Sequence, residues 1–118
     1  MILYHGWNDA NISPFNTVNY YQAVQKTLGV SASSESVRLF MAPGMAHCTG
    51  GEGPNTFDMI TALERWAEQG LAPNRITAAL VSSGKTIRTR PLCPYPQVAH
   101  YTGRGTTDDA VNFVCAAP

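Results

Sequence analysis

Apolar positions fall either in short unbroken runs or in stripes of helical period, and the two kinds alternate along the chain. Residues 1–4 (MILY) form a short apolar run that stops at His5-Gly6, a length that suits a buried strand rather than a helix. Ser13-Pro14 marks a helix start, with Ser as N-cap and Pro at the first helical position. Phe15, Val18, Tyr21, Val24 and Leu28 then recur at near-helical spacing, and Gly29 closes the segment as a C-cap. Residues 31–36 (SASSES) are the one low-complexity patch and read as a surface loop. Residues 37–41 (VRLFM) predict a second strand, stopped by Pro43-Gly44. The strongest helical pattern spans residues 55–69. Asn55 and Asp58 resemble a capping box, Gly70 and Pro73 end the segment, and Phe57, Ile60, Leu63, Trp66 and Ala67 form a stripe expected to face the core. Residues 76–81 and 86–90, separated by Ser82-Ser83-Gly84-Lys85, predict a β-hairpin. The remainder is rich in Pro, Tyr and Gly and is expected to be irregular.

Strand, helix, strand, helix is a βαβα unit, which implies parallel strands joined by a crossover. Two parallel strands are too few for a stable sheet, and parallel sheets are normally covered on both faces. Residues 1–118 therefore read as a single partial α/β domain, completed either by homo-oligomerisation or by an N-terminal part. Composition agrees. Apolar residues make up 44% of the chain, enough for a core, whereas charged residues are only 14%, against about 25% in an ordinary domain. A chain so poor in charge is expected to hide some of its surface against something else. Lys+Arg and Asp+Glu number 8 each, so the basic surplus of a nucleic-acid partner is absent. No apolar run approaches the ~18 residues of a membrane span, and no basic-then-apolar signal peptide opens the chain.

The chemistry concentrates in two loops. One strand opens into Trp7-Asn8-Asp9 and the other into Gly44-Met45-Ala46-His47-Cys48. In a parallel sheet both loops leave at the carboxyl ends of the strands, where open α/β folds place their catalytic groups. Asp9 and His47 are thus placed to meet. A carboxylate on one ring nitrogen fixes the tautomer and stabilises the imidazolium, leaving the other nitrogen as a general base. In α/β-hydrolases the nucleophile precedes the acid, which precedes the histidine. Residues 1–8 hold no Ser, Cys or Thr, and no later serine lies in G-x-S-x-G. The chain thus carries two members of a triad. Other candidates take plainer readings. His5 is read as a structural residue at a strand end, and His100 is given no functional role. Trp7 either lines a substrate pocket or caps the core. Arg88, Arg90 and Arg104 read as solvated charge, and Gly50, Gly51 and Gly53 lack phosphate-loop spacing. The three cysteines, Cys48, Cys93 and Cys115, fit no zinc template.

The stretches YHGWNDANISP, MAPGMAHCTGG and RPLCPYPQVAHY resemble the C-terminal part of the tannase and feruloyl esterase family of secreted α/β-hydrolases. That resemblance implies the C-terminal βαβα segment of an α/β-hydrolase fold, followed by the hairpin and a disulfide-stapled tail. It implies Asp9 as the acid and His47 as the base of a Ser-His-Asp triad whose serine lies outside this chain. Cys93 and Cys115 resemble the family's C-terminal disulfide, which would close a loop of about 23 residues and contribute about 3 kcal/mol. Cys48 resembles the cysteine that bonds the one preceding the nucleophile, so here it is expected to be unpaired or intermolecular. The implied activity is hydrolysis of carboxylic esters of aromatic acids such as ferulate or gallate, with no metal and no organic cofactor, and the family is extracellular or periplasmic. The isolated chain is expected to cleave activated aryl esters weakly at best. The rival expectation is a non-catalytic remnant that persists as a homo-oligomeric assembly or binding module.

Overall fold

The computed structural model describes residues 1–118. Strand β1 (Ile2–Gly6) and strand β2 (Arg38–Ala42) lie parallel, in register from Ile2 opposite Arg38 to Gly6 opposite Ala42. Between them run helices α1 (Pro14–Leu28) and α2 (Val30–Ser36). Pro14 opens α1 as the sequence predicts, although the Ser13 side chain makes no capping bond; the fixed φ of proline sets the start. The SASSES segment is helix α2 rather than a loop. Its hydroxyls bond back along the helix, Ser33 to the carbonyl of Val30 at 3.0 Å and Ser34 to that of Ser31 at 2.7 Å, so polar side chains that favour loops are satisfied inside a helix.

β2 is the keystone. Strand side chains alternate between faces, and both faces of β2 are covered. Leu39 and Met41 pack with Val18, Tyr21 and Val37 on one side, whereas Phe40 and Ala42 pack with Met45, Ile76, Ala78 and Leu92 on the other. Leu39 and Phe40 are completely buried, each worth roughly 1.5–3 kcal/mol of apolar burial.

The second face is closed by a hairpin of β3 (Ile76–Ser82) and β4 (Lys85–Leu92). Ser83 and Gly84 have φ of 48° and 74°, the two left-handed positions of a type I′ turn between strands. The tail, expected to be irregular, contains an antiparallel pair, β5 (Val98–Tyr101) with β6 (Phe113–Ala116). The Cys93–Cys115 disulfide is present, with Cα atoms 5.5 Å apart, and it fastens β6 to the end of β4. Arg90, read as solvated charge, instead stacks 4.3 Å from the ring centroid of Phe113, and burial lowers its pKa. Arg88 is paired with Asp108 at 2.7 Å on the surface.

Helix α3 (Met59–Gln69) departs most from expectation. Asp58, not Asn55, is its N-cap and accepts from the amide and hydroxyl of Thr61 at 2.9 and 2.7 Å. Thr56 instead bridges to Ala79 of β3. Phe57 therefore stands before the helix, where it, Met59 and Ala62 pack half-buried against the Phe40 cluster. Two residues of the remaining stripe are uncovered: Ile60 is 71% and Leu63 42% exposed. Trp66 is half-buried beneath the guanidinium of Arg38, 5.8 Å from its ring centroid.

The strands form three separate two-stranded sheets. The outer edge of β2 is capped by the amide of Tyr95, which donates to Leu39 at 2.7 Å, and by a bridge from Phe40 to Pro94. The outer edge of β1 pairs with no other strand.

Candidate active site

Both loops leave the carboxyl ends of β1 and β2, and backbone bonds lock them together. Trp7 donates to the carbonyl of Ala42 and Asn8 to that of Met45, each at 3.0 Å. Met45 is fully buried and anchors the second loop in the core. From there the chain doubles back, with Ala46 donating to Gly50 at 3.1 Å and Thr49 to His47 at 2.7 Å. Two glycines make this approach possible. A Cβ on Gly6 would strike the Met45 carbonyl and lie 2.6 Å from the Ala46 oxygen, and one on Gly51, at φ 87°, would strike the Gly44 carbonyl. Gly44 and Gly53 approach each other's backbone just as closely, whereas Gly50 has open space where a Cβ would stand.

Asp9 lies at the junction with its side chain 3% exposed. Its Oδ1 accepts the amides of Asn11 at 2.8 Å and Ile12 at 3.0 Å, a turn in which the carboxylate binds the backbone just ahead of it. Its Oδ2 accepts from Nδ1 of His47 at 2.8 Å and from Nε2 of His5 at 3.0 Å. The Ile12 amide, opposed by burial and reinforced by His47 and the Asn11 amide, holds the Asp9 carboxyl well below the usual carboxylate range. Asp9 is therefore ionised throughout the neutral pH range. Since an anionic carboxylate only accepts, His47 must carry its proton on Nδ1, and the lone pair falls on Nε2. No hydroxyl of this chain bonds to that nitrogen, and the His47 side chain is 43% exposed.

Stability should follow the Asp9 shift. The folded pKa is depressed, so the contribution is complete above the unfolded value near 4 and is lost as pH falls toward the folded value. We expect urea midpoints to hold steady from pH 7 to about 5 and to drop progressively below about pH 4. The drop should be shallower in Asp9→Asn; identical slopes for the two chains would refute this assignment.

The structure thus brings Asp9 and His47 together, as the sequence predicts. His5, read as structural, belongs to the same cluster; its only sequence signal is the four-residue spacing to Asp9. Trp7 is 37% exposed as a residue, its ring packs on Phe15 at 5.7 Å, and it borders a cavity of about 270 Å³ with Met41, Pro43, Tyr95, Pro96 and Val98. Cys48, beside His47, is a free and exposed thiol. His100 bonds the Ala117 carbonyl at 2.8 Å and tethers the tail. No group of three or more His, Cys, Asp or Glu side chains is arranged to hold a metal ion.

A family model described as tannase and feruloyl esterase matches residues 1–116. The chain is 47% identical over 121 residues to the mono(2-hydroxyethyl) terephthalate hydrolase of Piscinibacter sakaiensis, covering 100% of this chain and 20% of that protein. It is 38% identical over 121 residues to a probable feruloyl esterase of Arthroderma benhamiae, covering 98% of this chain and 22% of that one. The crystal structure of feruloyl esterase B from Aspergillus oryzae superposes with a TM-score of 0.85 at 31% identity, covering 98% of this chain and 26% of that chain. The chain spans about a fifth to a quarter of the length of the curated relatives it matches.

Proposed function

Because this chain belongs to the tannase and feruloyl esterase family, we propose that it is the part of an α/β-hydrolase that supplies the acid and base of a serine-dependent carboxylic ester hydrolase. The observation that carries the reading is the bond from His47 Nδ1 to a buried, ionised Asp9 at 2.8 Å, which leaves the outward Nε2 as the base. A serine from a polypeptide segment outside this chain gives its proton to Nε2 as its oxygen attacks the ester carbonyl. Asp9 stabilises the imidazolium that forms. The imidazolium then protonates the departing alcohol, leaving an acyl-serine and a neutral ring. Water repeats the sequence and releases the acid. The substrate class that fits the family is an ester of an aromatic acid, with Trp7 and its neighbouring cavity as a place for the ring. The test is a graft in which this chain replaces the matching segment of the mono(2-hydroxyethyl) terephthalate hydrolase. The reading expects ester hydrolysis well above that of the same relative with the segment deleted; a folded but inert graft overturns it.

The unpaired outer edge of β1 and the bare apolar side chains of α3 favour one further reading, that this chain on its own assembles with copies of itself. Covering such surfaces is worth roughly 25 cal/mol per Å², and open strand edges invite pairing. Sedimentation at micromolar concentration should then give a defined oligomer. A well-folded monomer would dismiss self-assembly.

A further inference from the structure

Asp9 Oδ2 receives two imidazoles, and the hydrogen-bond directions force them into opposite tautomers. The carboxylate only accepts, so the His5 Nε2 that lies 3.0 Å from Oδ2 carries the proton in the neutral ring. The His5 lone pair is then on Nδ1, which lies 2.7 Å from the Thr17 hydroxyl on α1; Thr17 donates and Nδ1 accepts. His47 is the reverse, donating from Nδ1 and keeping its Nε2 lone pair free. The two rings also differ in exposure, 12% for the His5 side chain against 43% for His47.

We propose, resting on the triad reading above, that His5 is a positioning residue for Asp9, held in its donating tautomer by the acceptors at Nε2 and anchored to α1 by Thr17. With its lone pair engaged, His5 cannot serve as the base. What it does is fix the carboxylate. The Asn11 and Ile12 amides hold Oδ1. Both oxygens turn together about the last side-chain torsion, a broad and soft one for Asp, and bonds to Oδ1 alone restrain that rotation at one end only, leaving some freedom at Oδ2. The His5 donor, anchored through Thr17 to a helix, removes that freedom and keeps Oδ2 aimed at His47. The spacing explains why one strand end carries both groups: His5 is the penultimate residue of β1, and Asp9 returns toward it over a four-residue turn.

The test is imidazole nitrogen NMR on this chain at about pH 8.5, where ordinary histidines are neutral. In the wild type, His5 should be the Nε2–H tautomer and His47 the Nδ1–H tautomer. His5→Phe, which keeps a flat ring but no donor, should shift the His47 tautomer ratio toward Nε2–H by about tenfold or more, the effect of one hydrogen bond to a charged group. His5→Gln, whose amide can donate to Oδ2, should restore it. Thr17→Val, which cuts the anchor to α1 but leaves the acceptors at Nε2, should move the His47 ratio in the same direction by a smaller factor while the amide spectrum stays native. That variant keeps the test open if His5→Phe does not fold. A wild-type His5 in the Nδ1–H form, or a His47 ratio unmoved in folded His5→Phe, overturns the proposal. Wild-type His47 in the Nε2–H form is a different failure: it removes the triad reading, and this inference with it.

Discussion

In the graft carrying this chain, His47→Ala is expected to lower kcat by about 10⁴- to 10⁶-fold, and Asp9→Asn by about 10⁴-fold. The asymmetry follows from roles. Removing the imidazole deprives the serine of any acceptor for its proton and the leaving alcohol of its donor. Replacing the Asp9 carboxylate with an amide keeps the shape but removes the charge that stabilises the imidazolium. It also allows His47 to take the wrong tautomer. KM should change little, because the imidazole acts on the transition state and contributes little to holding the ester beforehand. Stability should also change little with His47→Ala, since that side chain is 43% exposed and lies on a loop held by its backbone. A residual rate above that of water should persist from whatever groups bind the ester and its oxyanion. Steady-state kinetics on the folded graft decide the matter. A His47→Ala graft within about tenfold of its parent would mean that proton transfer runs through another group.

Opening the Cys93–Cys115 disulfide is expected to be the largest single loss of stability. The bond joins residues 22 apart in sequence and contributes about 3 kcal/mol in the chain-entropy model. A domain of this size has only ~0.05–0.15 kcal/mol of stability per residue, so the loss is a large fraction of the total. A drop in Tm on the order of 10 °C follows. The tail should suffer first. β5 and β6 are short, Val98, Tyr101 and Val114 are half-exposed, and Phe113 is the buried anchor of the pair. Dithiothreitol on the wild type and the Cys93→Ala/Cys115→Ala double variant should give the same decrease, with faster amide exchange confined at low denaturant to residues 98–116. Cys48→Ala should leave Tm unchanged, because that thiol is free and exposed. Equal melting temperatures for oxidised and reduced chains would contradict the assignment.

Much of the site was legible because it is local. A short apolar run ending in His-Gly-Trp-Asn-Asp, and another ending in Pro-Gly-Met-Ala-His-Cys, each state a strand that opens into a loop. Parallel pairing then puts both loops at one rim. Asp9 and His47 therefore followed from the order of residues and the geometry of a crossover. The two cysteines of the tail followed from family resemblance. The hairpin also followed, since a two-residue turn needs left-handed backbone and Ser83-Gly84 supplies it.

Tertiary structure decided the rest, where a residue's role depends on a partner far away in sequence. Residues 55–57 carry a helix-start pattern, yet Asn55 and Thr56 donate to Ala79, and a bridge across 23 residues outweighs a local preference. The α3 stripe has the period of a core face, but periodicity states only which residues share a side, not whether anything covers it. Serines in α2 rank low in helical propensity, yet Ser33 is fully buried and its hydroxyl is satisfied by the Val30 carbonyl. His5 reads as a strand-end residue in the sequence, and only the fold places the Asp9 carboxylate at one of its ring nitrogens and the Thr17 hydroxyl, on another element, at the other. Propensity and spacing act over one or two turns of chain, whereas burial and hydrogen-bond direction are settled by whatever the fold brings alongside, and for this protein that distinction separates the Asp9–His47 contact from the His5 and Thr17 bonds around it.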